Sequence, residues 1–160
     1  MISKLVLALL PALLFPSCAI RFKIPELEEP AAVLERMVCC GSIEEKGGWA
    51  ESADEKSIFV KGSDPSAYAF VSFRGIRGAH SLAWKWYDPS RRLYRAPDPI
   101  GIGRENVAFE TYIAWDRIAV SDDKADGRWS VAVFLDGDLL VVREFEIKPP
   151  AGGDASPRRP

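Results

Sequence analysis

The sequence predicts an all-β protein, an antiparallel sandwich of about seven strands, and three observations carry that expectation. Apolar residues recur with period two, the spacing at which an extended chain presents one face. The runs are short, as strands are, and Gly, Pro and Asp punctuate them where tight turns are needed. Successive runs follow one another at the spacing of a sandwich or barrel, with turn chemistry between them.

The elements follow in chain order. Pro30 to Val38 can be drawn as a helix, with proline in the first turn and Ala31, Leu34 and Val38 on one side. Val38, Cys40 and Ile43 fit a strand better, and a strand is expected over 33–43. Glu44 to Lys56 is polar and contains Gly47-Gly48, so it reads as a loop carrying one large side chain, Trp49. A short strand is expected at Ile58 to Val60. Ala69, Val71 and Phe73 alternate with Phe70, Ser72 and Arg74. Leu82, Trp84 and Trp86 share one face, opposed by Ala83, Lys85 and Tyr87, until Asp88-Pro89-Ser90 turns the chain. Val107, Phe109, Thr111, Ile113 and Trp115 form a further inward set, with Glu110 and Tyr112 opposite. Trp129, Val131, Val133 and Leu135 run into Asp136-Gly137, a dipeptide suited to a tight hairpin because glycine accepts positive φ. Leu139 to Ile147 returns as the partner strand.

The segment from Gly127 through Trp129, Val131, Val133 and Asp136-Gly137 to Phe145-Glu-Ile147 resembles the last two strands of bacterial immunoglobulin-like domains. Trp84-Lys85-Trp86-Tyr87-Asp88-Pro89 is similar to the tryptophan-rich middle strand of uncharacterised exported families of this type. The likeness covers Val38 to Lys148 and implies an immunoglobulin-like β-sandwich, without a function. An antibody-type domain would carry one cysteine on each of two facing strands. Here Cys39 and Cys40 are neighbours and point to opposite sides of a strand, so buried free thiols are expected and the core is held by packing.

The ends of the chain speak to location. Lys4, the apolar stretch Leu5 to Phe15 and the small residue Ser17 have the order of an export signal, too short and too proline-broken to span a bilayer. Leu14-Phe15-Pro16-Ser17-Cys18 resembles a bacterial lipobox, with Phe15 and Pro16 where the typical motif has leucine and a small residue. That resemblance implies acylation of Cys18, which becomes the mature N-terminus. Ala19 after it, in place of Asp, resembles sorting to the outer membrane in a Gram-negative cell. The expected organisation is a signal peptide at 1–17, lipidated Cys18 and a proline- and glutamate-bearing tether at 18–32, the sandwich at 33–148, and a disordered tail at 149–160.

Twenty-one basic and 23 acidic residues give a net charge of −2, or −3 once Lys4 leaves with residues 1–17, so nucleic acid is not an expected partner. His80, the single histidine, has no nucleophile motif around it and is expected to be structural. One histidine and an adjacent cysteine pair do not make a zinc site. Asp122-Asp123-Lys124-Ala125-Asp126-Gly127 has the Asp and Gly spacing of a calcium loop, but Lys124 and Val133 stand at ligand positions, so an acidic hairpin loop is expected. Gly101-Ile102-Gly103 lacks the remainder of a dinucleotide fingerprint and reads as a turn. Neither metal nor cofactor is expected, and no catalytic residue is assigned.

Five Trp, four Tyr and eight Phe are more rings than one face of a small sandwich needs. Trp49, Tyr87, Tyr94 and Tyr112 are therefore candidate binding aromatics, although the same rings also suit covering the second sheet. The functional expectation is a lipid-anchored cell-envelope protein with a non-catalytic binding or assembly domain. Its partners would be the membrane, through Cys18, and an envelope protein. The alternative is a carbohydrate-binding sandwich whose exposed rings meet a glycan.

Overall fold

The computed structural model describes residues 32–150. These form eight strands and no helix: β1 (Val33–Lys46), β2 (Trp49–Glu55), β3 (Ile58–Val60), β4 (Ser66–Tyr87), β5 (Leu93–Arg95), β6 (Ile100–Ala119), β7 (Gly127–Leu135) and β8 (Asp138–Lys148). The expected signal segment, Cys18 and the expected tether up to Ala31, and the expected tail from Ala151 onward lie outside the described residues.

All-β architecture is as expected, and the strands join into one curled sheet in the order β2-β1-β4-β7-β8-β3, with β5 and β6 also paired to β4. β4 organises it. Its first half pairs with β1 from Val33↔Arg74 to Cys40↔Tyr68, and its last residues pair with β7 from Leu82↔Leu135 to Tyr87↔Ser130. β6 runs along the other edge of β4 from Ser66↔Ala119 to Leu82↔Ile100. Two layers result, one around β2-β1-β4-β6 and one around β4-β7-β8-β3, and β4 crosses between them at residues 75–81. The crossing needs a change of facing. Ala67, Ala69, Val71 and Phe73 are buried on the odd positions, whereas Ile76, Leu82, Trp84 and Trp86 are buried on the even ones. Gly75, at φ 67, lies where the parity changes, a backbone conformation that a Cβ would strain.

The core lies between the layers. Trp84, Trp86 and Trp129 are all within 2% of fully buried, as the apolar stripes of β4 and β7 predict. Phe145 meets Phe59 and Trp86 edge-on, at centroid distances of 5.5 and 5.9 Å, and stacks with Trp129 at 6.5 Å. Asp136 and Gly137 both have positive φ, 53° and 91°, in the two-residue turn between β7 and β8.

Three expectations need correction. The polar stretch 44–56 is a hairpin: β1 continues to Lys46, β2 starts at Trp49, and Gly47-Gly48 at φ 60 and 85 makes the turn. Two successive positive-φ residues match the twist of flanking strands, so the glycine pair is a hairpin signal even without apolar alternation. This adds the eighth strand. Next, β3 pairs with β8 in parallel, so the sheet is mixed, although every other pairing is antiparallel. Finally, β6 faces the opposite way over its second half. Ala114 and Ile118 are buried and Tyr112 packs against the core, while Trp115 is 40% exposed and stands opposite Phe70 on the outer face. Even-numbered Glu110 and Asp116 disguised the inner face. Asp116 is inside because it accepts the Trp86 indole N–H at 2.7 Å and pairs with Arg95 at 3.1 Å.

Candidate binding groove

At the end of β4 the Asp-Pro turn is built by its own carboxylate. Asp88 Oδ1 accepts the backbone N–H groups of Ser90 and Arg92, each at 2.9 Å, and Oδ2 accepts from Arg92 Nε at 3.0 Å. These donors, the Arg92 backbone N–H foremost, hold the Asp88 carboxyl below its usual range. The turn places Arg91, at φ 61, over the start of β7. Between them lies a groove of about 400 Å³ lined by Tyr87, Asp88, Arg91, Arg128, Ser130 and Glu144, and the Trp129 ring is buried in the core behind it. Trp129 donates its indole N–H to the Ala125 carbonyl at 2.9 Å and meets Tyr94 edge-on at 5.1 Å. The register that makes this site is Tyr87↔Ser130 and Ser130↔Glu144, side chains of three neighbouring strands on one outer face.

A second hollow of about 380 Å³, lined by Ser57, Ile58, Arg128, Glu144, Phe145 and Glu146, adjoins the first. Arg128 and Glu144 line both, and their exposed ion pair at 3.4 Å forms the divide. The two hollows present guanidinium groups, carboxylates, one phenol and the exposed apolar Ile58. This mixture can hydrogen-bond and pair with a polar chain segment.

The four candidate aromatics fall at separate places. Trp49 is 58% exposed at the β1–β2 tip, where its backbone pairs with Lys46. Tyr87 lines the groove. Tyr94, 43% exposed, braces Trp129 from outside and lies under the Lys124 ammonium at 5.3 Å. Tyr112 is turned inward, edge-on to Phe109 at 6.0 Å. Sequence reasoning missed Arg91, Arg128 and Glu144. They are distant in the chain, and only the pairing of β4, β7 and β8 joins them.

The acidic loop at 122–126 closes on an internal cation. Lys61, 7% exposed, places Nζ 2.7 Å from Asp126 Oδ1 and donates to the carbonyls of Lys124, at 2.6 Å, and Asp122, at 3.5 Å. Carbonyls and a carboxylate of the calcium-like segment thus surround an ammonium. Among the described residues, no group of three or more His, Cys, Asp and Glu is placed to hold a metal ion.

Cys39 and Cys40 are free and buried. Burial above all, with Cys40 beside it, pushes the Cys39 thiol up to about 12, and burial also raises Cys40.

His80 lies at the β4 crossing with its side chain 12% exposed. Nδ1 is 2.7 Å from Asp136 Oδ2 and Nε2 is 2.9 Å from the Arg77 carbonyl. Both partners are acceptors, so the ring satisfies both as an imidazolium. The Asp136 bond raises the His80 pKa above its usual 6.5, and the same bond lowers Asp136 below its usual 3.8. The stabilisation therefore holds in full below pH 6.5 on the histidine side and is lost as pH rises through the raised value. On the aspartate side it holds above pH 3.8 and is lost as pH falls through the lowered value. His80→Gln is expected to cost about 1 kcal/mol between these limits, because Asp136 is half exposed, and less as pH rises beyond them. Urea midpoints of both proteins at pH 5.5 and pH 9 measure the difference; equal gaps at the two pH values would contradict the imidazolium assignment.

No protein-family model matches the chain, and no curated protein matches it. Among solved structures it is similar to an alkylpurine DNA glycosylase of Pseudomonas fluorescens bound to DNA containing an abasic site analogue. The TM-score there is 0.49 at 9% identity, over 74% of this chain and 30% of that one, so the chain spans less than a third of that protein. It is also similar to an immunoglobulin-like protein of Pseudomonas aeruginosa, with a TM-score of 0.40 at 10% identity, over 73% of this chain and 96% of the other. By its own strands the present chain belongs to the all-β class, one curled mixed sheet folded around a core.

Proposed function

We propose that the chain is a lipoprotein of the bacterial envelope, anchored through Cys18, whose domain binds a partner protein without catalysing a reaction. The observation that carries the binding role is the groove's position. β1 enters opposite Arg74, beside the β4 crossing, whereas the groove lies at the far end of β7 and β4. A domain tethered by its first strand would thus display the groove away from the anchor. Its lining favours a peptide segment with carboxylate or hydroxyl groups, which Arg91, Arg128 and Ser130 can meet, with Tyr87 as the aromatic contact.

Arg128 is 77% exposed, so Arg128→Glu is expected to leave folding intact. It should weaken partner capture about 10-fold or more, the effect of one disrupted charged contact at the centre of an interface. Site-specific photocrosslinking in intact cells from positions 87 and 128, compared with position 49, measures it. One defined envelope protein captured from the groove and lost in Arg128→Glu supports the reading. Equal capture from all three positions, or from none, overturns it. Quenching or shifting of tryptophan fluorescence by peptidoglycan or polysaccharide fragments would favour the glycan alternative instead.

A further inference from the structure

We infer that the tip of the β7–β8 hairpin is a membrane-contact surface, seated on the bilayer that holds the lipid anchor, an inference that rests on the lipoprotein reading above. Leu139, Leu140 and Val142 are 57%, 38% and 48% exposed, three large apolar side chains within four consecutive positions. Single exposed apolar residues are ordinary on a protein surface, whereas a contiguous group at a protruding turn marks a contact. Beside them on the same outer face, Lys85 holds its ammonium 4.5 Å from the centroid of the Phe134 ring. A cation on an apolar bed suits the boundary between acyl chains and anionic headgroups.

The occupant follows from where the chain enters. β1 begins at Val33 opposite Arg74, and the hairpin turn follows Leu135, which stands opposite Leu82. Both places flank the β4 crossing, so the entry point and the apolar tip share one end of the domain. Val107, 43% exposed at a break in the β4–β6 register, lies at that end too. Fourteen residues separate Cys18 from Val33, and even fully extended they span at most about 50 Å. The anchor thus leaves this end, from which the linker departs, within reach of the bilayer. The groove, at the other end of β7, lies about 20 Å farther away. The turn itself is held firm for such a contact: Asp136 bonds His80 through one carboxylate oxygen and the Ser81 N–H through the other, at 2.7 and 2.8 Å. Asp138 at the turn limits the contact to a shallow one, with the leucines at the headgroup boundary.

The test uses the full mature protein, purified from membranes and reconstituted into phosphatidylethanolamine–phosphatidylglycerol vesicles. An environment-sensitive fluorophore is attached at Leu139→Cys or, as control, at Ser90→Cys in the turn beside the groove. Cys39 and Cys40 are buried with raised thiol pKa values and resist labelling. In vesicles, the probe at 139 is expected to be at least twofold brighter than the probe at 90 and shifted to the blue of it. Equal responses at the two positions, or brightening at 139 with protein concentration and without vesicles, overturn the inference; the second result would assign the tip to a second copy of the chain. Mass spectrometry of the same preparation separates the two levels of argument. An acylated Cys18 with a silent probe at 139 removes the tip contact alone, whereas an unmodified N-terminus removes the anchor and the inference with it.

Discussion

Replacing Trp86 by alanine is expected to cost about 3 to 5 kcal/mol, a large part of the about 5 to 15 kcal/mol by which a whole domain is stable. The side chain is fully buried, packs edge-on against Phe145 at 5.9 Å, and donates its indole N–H to Asp116 at 2.7 Å. Its loss leaves a cavity where the two layers meet and takes a donor from a carboxylate that is 14% exposed. Conservative variants separate the two contributions. Trp86→Phe keeps most of the ring and loses the hydrogen bond. Trp84→Phe removes an indole N–H that has no acceptor among the described residues. Trp86→Phe is therefore expected to cost about 1 kcal/mol more than Trp84→Phe. Urea unfolding followed by far-ultraviolet circular dichroism measures all three. A Trp86→Ala protein as stable as the parent would contradict the packing of Trp86 between the two layers.

The strands legible in the sequence are those with one wet face and one dry face. β7 shows Trp129, Val131 and Val133 at alternate positions, and all three are buried. β4 was legible in two pieces, 69–74 and 82–87, because its apolar parity changes at the crossing and a periodic pattern cannot be carried through a change of facing. β2 was illegible because nearly every side chain from Trp49 to Glu55 is exposed or half exposed. Only its glycine turn and the ladder with β1 declare it a strand. In β6 the outer face carries Ile113 and Trp115, larger than the inner Ala114, so a reading by size chose the wrong side. That outer row, with Trp115 opposite Phe70 and Phe70 opposite Val38, also accounts for part of the aromatic excess as cover over the first layer. The groove was hidden for another reason. Tyr87, Arg128 and Glu144 belong to different strands, and their meeting depends on pairing register, which alternation within each strand does not specify.

Cys18→Ser is expected to convert a membrane-bound, detergent-extracted protein into an unprocessed precursor or a soluble exported one. In the lipobox-like reading, export brings the Cys18 thiol to the membrane surface, where Cys18 is acylated and becomes the new amino terminus. Each acyl chain contributes about 0.8 kcal/mol per buried CH₂, so two or more chains anchor stably where one is marginal. Serine lacks the nucleophilic sulfur that accepts the lipid, so nearly all of the protein should leave the membrane fraction or retain residues 1–17. Cys39→Ser and Cys40→Ser provide the contrast. Both thiols are buried in the body of the domain, and burial keeps them protonated, so neither is available as an anchor. Those variants should remain membrane-bound as long as they fold. Carbonate extraction reports the partition, and the intact mass of the mature N-terminus reports the chemistry. A mature chain that begins with an unmodified residue other than Cys18 would make this an ordinary secreted domain.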